Sequence, residues 1–370
     1  MVIQFKCIRT KIFKILEKRN NRLFCYFQTT QVLSSLQKRD LRTTVPKIIV
    51  KFAISMTGRN YHYDRIRATA IIFVILIHSC GILLLHPEMP SAVWVNAALT
   101  SLVNTAVPLF LMLSGTLLLG KEEPLGTFLR KRFSRILLPF VIWSLVFYLV
   151  LNPPRSLSCL WDFPWKLLTG GIHGIYWFVY MIIGLYLLTP LLRPAMRDCT
   201  LGLWTGGLVL VLFLVHQLFP RVPFVEGLYM PDMQHLLCYV GGFLLVRHLG
   251  GKKWLGPVSL AVAVFFYGVT LVLKVFHPVE FPFAVITAFG LFGWMITLPV
   301  RKPCKVVTFL SETSYGIYLC HAAVISVFVR FAQSYLPVWA SPFLTGAFTL
   351  VSCAVLMWFC KKLKLQKVFY

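Results

Sequence analysis

The chain has 370 residues, 58% of them hydrophobic and only 13% charged, and its mean hydropathy is +0.76. That is too apolar for a soluble domain with a polar skin, so the chain reads as a polytopic membrane protein. Its formal net charge of +25 would fit a nucleic-acid partner in a soluble protein, but here the bases lie between apolar runs; membrane topology accounts for them and no nucleic-acid partner is expected.

Residues 1–56 are basic and rich in polar residues, and they lack the apolar stretch and small-residue cleavage site of a secretory signal. Within them IRTKIFKILEK puts Ile8, Ile12 and Leu16 on one helical face among lysines. The pattern fits a segment lying on an anionic membrane surface. It fits equally an extension, disordered or not translated, upstream of a transmembrane domain at 57–370.

Ten apolar stretches long enough to cross the hydrocarbon follow, at about 66–85, 94–119, 136–152, 174–192, 200–219, 233–249, 254–276, 279–299, 314–335 and 342–360. Lys and Arg collect on alternate connections: Lys121 to Arg135, Arg193 and Arg197, Arg247 to Lys253, Arg301 to Lys305, and Lys361 to Lys367. By the positive-inside rule both termini are expected to be cytoplasmic, which an even number of spans satisfies. The fold class expected is therefore all-α, a polytopic transmembrane helix bundle of about ten spans in a cell membrane.

The first span, RIRATAIIFVILIHSCGILLL, carries Arg67 near its start and His78 deep within it. Eleven positions at about 100° per residue bring both side chains to one face, about 16 Å apart along the axis. An ionisable group at the depth of His78 faces protein or a water-filled cavity. Either His78 is a structural histidine bonded to a neighbouring helix, or it does chemistry. Asp64, three residues before Arg67, either holds that guanidinium or is a helix-start carboxylate favoured by the dipole.

In GTFLRKRFSRILLPF, Arg132 and Arg135 share a helical face at i, i+3 just before a span. A positive-inside stop signal would look the same. With Arg67 at the same membrane face, however, three guanidiniums would converge on an anion with several phosphates, which bidentate donors suit. The long outer connection at about 152–174 brings Trp161 and Trp165 towards Trp177, as interfacial anchors or as an aromatic rim for a sugar. A second outer loop, FPRVPFVEGLYMPDM, contributes Glu226 and Asp232.

LSETSYGIYLCHAAVI places His321 inside a late span, with Tyr318 and Ser314 one and two turns before it. Hydrogen bonding between helices would explain all three. The remaining histidines of note, His86, His173 and His277, fall at outer loops or span ends and are expected to need no special account. The ten cysteines are spread singly without a CxxC pair, so neither a disulfide framework nor a metal site is expected. There is no Walker loop, HExxH or GxSxG.

Several segments, in order, resemble the acyltransferase-3 family of integral membrane acyltransferases. NYHYDRIRATAIIFVILIHS is similar to the family's opening, with its arginine, ten residues, histidine signature. VPLFLMLSGTLLL resembles its second span, RKRFSRILLPF its RxxR loop, GIYWFVYMIIGLYLLTPLL its Trp-Phe span, and SETSYGIYLCHA its late Ser-x-x-x-Tyr-Leu-x-His segment. In size the chain resembles the enterobacterial common antigen O-acetyltransferases.

The resemblance implies a multi-pass protein of the cell inner membrane that moves an acyl group, acetyl before others, from cytoplasmic acyl-CoA to a hydroxyl of a cell-surface glycan or its lipid-linked precursor. It implies roles in transfer for His78 and Arg67 and in holding acyl-CoA for Arg67, Arg132 and Arg135. Acyl-CoA, with acetyl-CoA first, is then a co-substrate and no metal is needed. His78 would act as general base or carry the acyl group as an acyl-histidine. Asp64 would support Arg67, while Ser114, Tyr318 and His321 are the side chains to consider as oxyanion donors. The rival is a transporter or flippase of a small anion or glycolipid, which also keeps His and Arg in the membrane but which the absence of a clear inverted repeat disfavours.

Overall fold

The computed structural model describes residues 59–85, 88–151, 158–218, 233–276, 283–299, 304–332 and 335–369. The chain divides after Asn60, and the fold is that of the unit Tyr61–Tyr370. The basic segment at 1–56, the loop with Glu226 and Asp232, and His86 and His277 lie outside the described residues.

Among the described residues every regular element is helical. The order is α1 (Tyr61–Ser79) with a 3₁₀ continuation (Cys80–Leu85), α2 (Pro90–Val103), α3 (Ala106–Leu118), α4 (Leu125–Leu151), α5 (Ser158–Thr169), a 3₁₀ turn (Gly174–Tyr176), α6 (Trp177–Arg197), α7 (Cys199–Leu218), α8 (Met233–Leu249), α9 (Leu255–Phe276), α10 (Phe283–Thr297), α11 (Lys305–Ala332), α12 (Ser341–Lys362) and the short α13 (Gln366–Phe369). Each of the ten apolar stretches contains helix among its described residues. Among the described residues seven helical segments are long and apolar enough to cross a membrane, and Cys199–Val215 and Phe283–Thr297 are shorter apolar helices. The fold is a polytopic helical bundle, and large apolar side chains such as Leu208, Val211, Val264 and Val351 point out of it, as a hydrocarbon solvent requires.

The span expected at about 94–119 corresponds to one apolar segment long enough to cross a membrane, Pro90–Leu118, built of two helices, α2 and α3, that meet at Asn104 and Thr105. Pro108 is the physical cause: it has no N–H for the carbonyl of Asn104, and its ring crowds that carbonyl. The Thr105 hydroxyl donates instead to the Leu102 carbonyl at 2.7 Å. The outer connection at 152–174 contains a helix, α5, which leaves Trp161 and Trp165 highly exposed.

The buried centre is α1, whose residues Ile66, Ala70, Ile71 and Ile75 are sealed between α3, α11 and α12. Glycine permits the closest approach. A Cβ on Gly115 of α3 would sit 1.7 Å from the Tyr239 carbonyl oxygen of α8, so only a residue without a side chain lets these backbones meet. α4 runs unbroken through RKRFSR into its span despite Pro139. The Tyr315 hydroxyl of α11 donates to the Ile136 carbonyl at 2.9 Å, in the turn before that proline; this is how a membrane helix tolerates one.

Candidate active site

Helix C-termini leave carbonyls without donors, and at the basic end of the bundle three arginines supply them. Arg65 donates through Nη2 to the Leu298 carbonyl at 2.8 Å, just past α10. Arg193 donates through Nε to Leu118, the last residue of α3, at 3.1 Å. Arg247 donates to the carbonyls of Met196 and Arg197 at the end of α6, the second at 3.0 Å. These guanidiniums fasten helix ends together and are thereby committed to structure.

The arginines singled out by the sequence are placed differently. Arg132 is partly buried, its Nε has no partner, and Glu123 lies 3.9 Å from its Nη2. Glu123 accepts from Lys131 at 2.8 Å and lies 3.8 Å from Arg193. The bond from Lys131, reinforced by the charges of Lys131, Arg132 and Arg193, holds its carboxyl below the usual range. The buried Phe128 ring lies between the two arginines, 4.4 Å from the Arg193 guanidinium and 5.5 Å from that of Arg132, close enough for cation–π attraction. Arg135 is exposed. Tyr186 of α6 is close enough to Arg67, Arg132 and Arg135 to feel the charge of each, so the three guanidiniums from α1 and α4 lie in one region of the bundle.

Arg67 is held by a residue that sequence reasoning passed over. The Ser311 hydroxyl of α11 donates to Asp64 Oδ1 at 2.7 Å and accepts from Arg67 Nη1 at 3.4 Å. Asp64 and Ser311 are both buried. The carboxylate thus reaches the guanidinium through a hydroxyl on another helix, and Ser311 pins α11 to α1.

α11 packs along α1, and its other end brings His321 to His78. The ring centroids are 5.0 Å apart at an interplanar angle of 43°. His78 is partly buried; His321 is fully buried, with Nδ1 2.6 Å from the Tyr318 carbonyl. The Tyr318 hydroxyl donates to the Ile175 carbonyl, and Tyr176 donates to the Leu319 carbonyl at 3.3 Å. Ser114 is partly buried on α3, and no hydrogen bond or ring contact among the described residues ties it to the histidines.

A third imidazole, His173, is tied to the same region through Tyr176. α5 ends with Gly170 at φ 75° and the Gly171 N–H on the Lys166 carbonyl at 2.8 Å, the hydrogen bond of a Schellman cap. The turn delivers His173 in extended backbone, its Nδ1 accepting from the Ile175 N–H at 3.3 Å. Its ring packs on Phe147 and Tyr176 with centroids 5.2 and 6.2 Å away, and it is within electrostatic reach of His78 and His321. Since Nδ1 accepts, the ring hydrogen is on Nε2. Ser144 is a further buried polar group that the sequence did not flag. Its hydroxyl has no partner, and it shares a face of α4 with Phe140 and Phe147, both packed on Tyr176. Among the described residues no group of three or more His, Cys, Asp or Glu is arranged to hold a metal ion.

The bundle thus has two polar centres linked by α1. One is a set of guanidiniums at the basic end and the other is a cluster of imidazoles in the interior. Comparison with curated proteins and with solved structures gives no match. A family model described as an acyltransferase domain matches residues 60–358, which takes in most of the chain and both centres. The chain belongs to the acyltransferase-3 family and is a multi-pass membrane acyltransferase.

Proposed function

We propose that the protein is an O-acyltransferase that moves an acetyl group from cytoplasmic acetyl-CoA to a hydroxyl of a cell-surface glycan or its lipid-linked precursor. The observation that carries this reading is the pairing of the two centres on α1. Arg67 and His78 share a face about 16 Å apart, which suits a ligand with phosphates at one end and a thioester on a long arm. Arg132 with its unpartnered Nε, together with Arg67 and Arg135, would bind the phosphates. Asp64 and Ser311 hold Arg67 in position for that role.

At the other centre His78 acts as general base. A sugar hydroxyl is a poor nucleophile at neutral pH, so His78 takes its proton as the oxygen attacks the thioester carbonyl. The C–O bond forms, the tetrahedral intermediate collapses with cleavage of the C–S bond, and the proton passes from His78 to the departing sulfur. His173, with its ring hydrogen on Nε2 and its Nδ1 occupied by the Ile175 N–H, is a candidate donor to the developing oxyanion. Tyr318 is less suited, because its hydroxyl is engaged by the Ile175 carbonyl.

The test is release of free CoA from acetyl-CoA by the purified, detergent-solubilised protein, with and without a glycan acceptor. Turnover by wild type and its loss in a folded His78→Ala variant is the expected result. Absence of CoA release and of acyl transfer in a well-folded wild type would overturn the reading in favour of transport of an anion or glycolipid.

A further inference from the structure

His321 poses a specific question, because its ring is fully buried in α11 and half of its hydrogen-bonding capacity is unused. Nδ1 lies 2.6 Å from the Tyr318 carbonyl. A carbonyl only accepts, so Nδ1 carries the ring hydrogen, and in the neutral ring Nε2 is a bare lone pair. That Nε2 is buried and has no partner. A buried acceptor left unpaired is costly, and such groups ordinarily have a functional reason or a partner that arrives later.

The aromatic neighbours of His321 are Tyr318 at 5.8 Å and His78 at 5.0 Å between centroids. The Tyr318 hydroxyl is engaged by the Ile175 carbonyl, and the ring contacts of His173 are with Phe147 and Tyr176, which leaves His78 as the adjoining ring with a hydrogen to give. Facing ring nitrogens form an N–H···N bond at about 3 Å, a reach that a 5.0 Å centroid separation permits. The terminal torsion of histidine is broad, so a rotation of the His78 ring is enough to make the bond.

We infer that His321 is a positioning residue for His78: its Nε2 accepts the ring hydrogen of His78, selects the tautomer whose other nitrogen presents a lone pair to the acceptor hydroxyl, and steadies the imidazolium that forms. The inference rests on the reading of His78 as the base. The same tautomer argues against His321 as an oxyanion donor, because its one ring hydrogen is already given to Tyr318. A neutral imidazole thus takes the place that a carboxylate takes in a Ser-His-Asp triad. In the interior of a membrane bundle it does so without an added charge.

The experiment uses the full chain in detergent with acetyl-CoA and compares His321→Leu and His321→Met, which lack an acceptor, with His321→Gln, which retains one. The expected result is a fall in kcat of about 10–100-fold for the first two, with KM for acetyl-CoA within about twofold and substantial recovery in His321→Gln. Added to His78→Ala, His321→Leu should cost nothing further, since residues that act as a unit are not additive. Carbethoxylation of His78 by diethylpyrocarbonate, followed by mass spectrometry, reads the same lone pair without acyl transfer and should slow in His321→Leu and His321→Met but not in His321→Gln. Unchanged His78 modification in folded His321→Leu and His321→Met overturns the inference whether or not the protein turns over acetyl-CoA. So does an equal loss of activity in all three variants. Absence of turnover by wild type counts against the acyl-transfer reading, and the modification rates then decide the role of His321 alone.

Discussion

Ser311 donates to Asp64 at 2.7 Å and at the same time accepts from Arg67 at 3.4 Å, joining a carboxylate and a guanidinium of α1 through a hydroxyl of α11. A hydrogen bond to a charged group contributes about 1.5–3 kcal/mol. Ser311→Ala should therefore weaken acetyl-CoA binding about tenfold or more, since about 1.4 kcal/mol is a factor of ten. Ser311→Thr keeps the hydroxyl and should bind nearly as well as wild type. Equilibrium binding to the two variants decides it, and equal affinity of both for acetyl-CoA would remove Ser311 from the site.

The arginines of the basic end should divide into two classes when mutated. Arg193 is buried and fastens α3 to α6. Arg193→Met strips the Leu118 carbonyl and leaves Glu123 with one cation fewer, a loss of about 2–4 kcal/mol of stability. Arg135 is exposed, so Arg135→Ala should leave the unfolding midpoint unchanged while weakening acetyl-CoA binding. Thermal unfolding and binding measured on the same preparations test the division, and a stable Arg193→Met would contradict it.

Close approach of α3 and α8 depends on the missing side chain at Gly115, where a Cβ would meet the Tyr239 carbonyl oxygen at 1.7 Å. Backbone cannot yield as a flexible side chain can, so Gly115→Ala should cost about 1–3 kcal/mol or more and lower the yield of folded protein. Gly268→Ala has open space around it and should be neutral or slightly stabilising by helix propensity. Size-exclusion profiles and melting midpoints of the pair provide the comparison.

Glu123 gives the basic end an acid limit. Lys131, with Arg132 and Arg193, holds its carboxyl below the ordinary value of 4.5, so the folded chain binds a proton there less readily than the unfolded one. The stability this contributes is complete above the ordinary value and is lost as pH falls through the folded one. Melting midpoints of wild type and Glu123→Gln, followed from neutral pH down through the carboxyl range, should differ at neutral pH and converge in acid. A difference that persists undiminished in acid would show that the carboxylate is not responsible.

The sequence disclosed most where a single helix carries the information. Arg67 and His78 share a face by periodicity alone, and the apolar stretches announce the bundle. What stayed hidden depends on partners remote in the chain. Arg193 and Arg247 read like ordinary positive-inside bases and Arg65 carries no signal of its own, because the carbonyls that Arg65, Arg193 and Arg247 cap are 233, 75 and 51 positions away. Ser311 is one hydroxyl among many until α11 lies beside α1. His173 looked like a loop residue because its placement depends on the turn at Gly170 and on packing against Phe147 of α4. The Gly-Gly pair just before it was the available signal. Pro108 was overlooked inside an apolar run, although its missing N–H divides α2 from α3.

The central claim is that one face of α1 holds acetyl-CoA by its phosphates at Arg67 and by its thioester at His78. Equilibrium binding and turnover of radiolabelled acetyl-CoA by detergent-solubilised wild type, Arg67→Ala and His78→Ala test it most directly. The account predicts that Arg67→Ala loses binding, whereas His78→Ala binds with nearly wild-type affinity and does not turn over. Normal binding by folded Arg67→Ala, or undiminished turnover by His78→Ala, would contradict it.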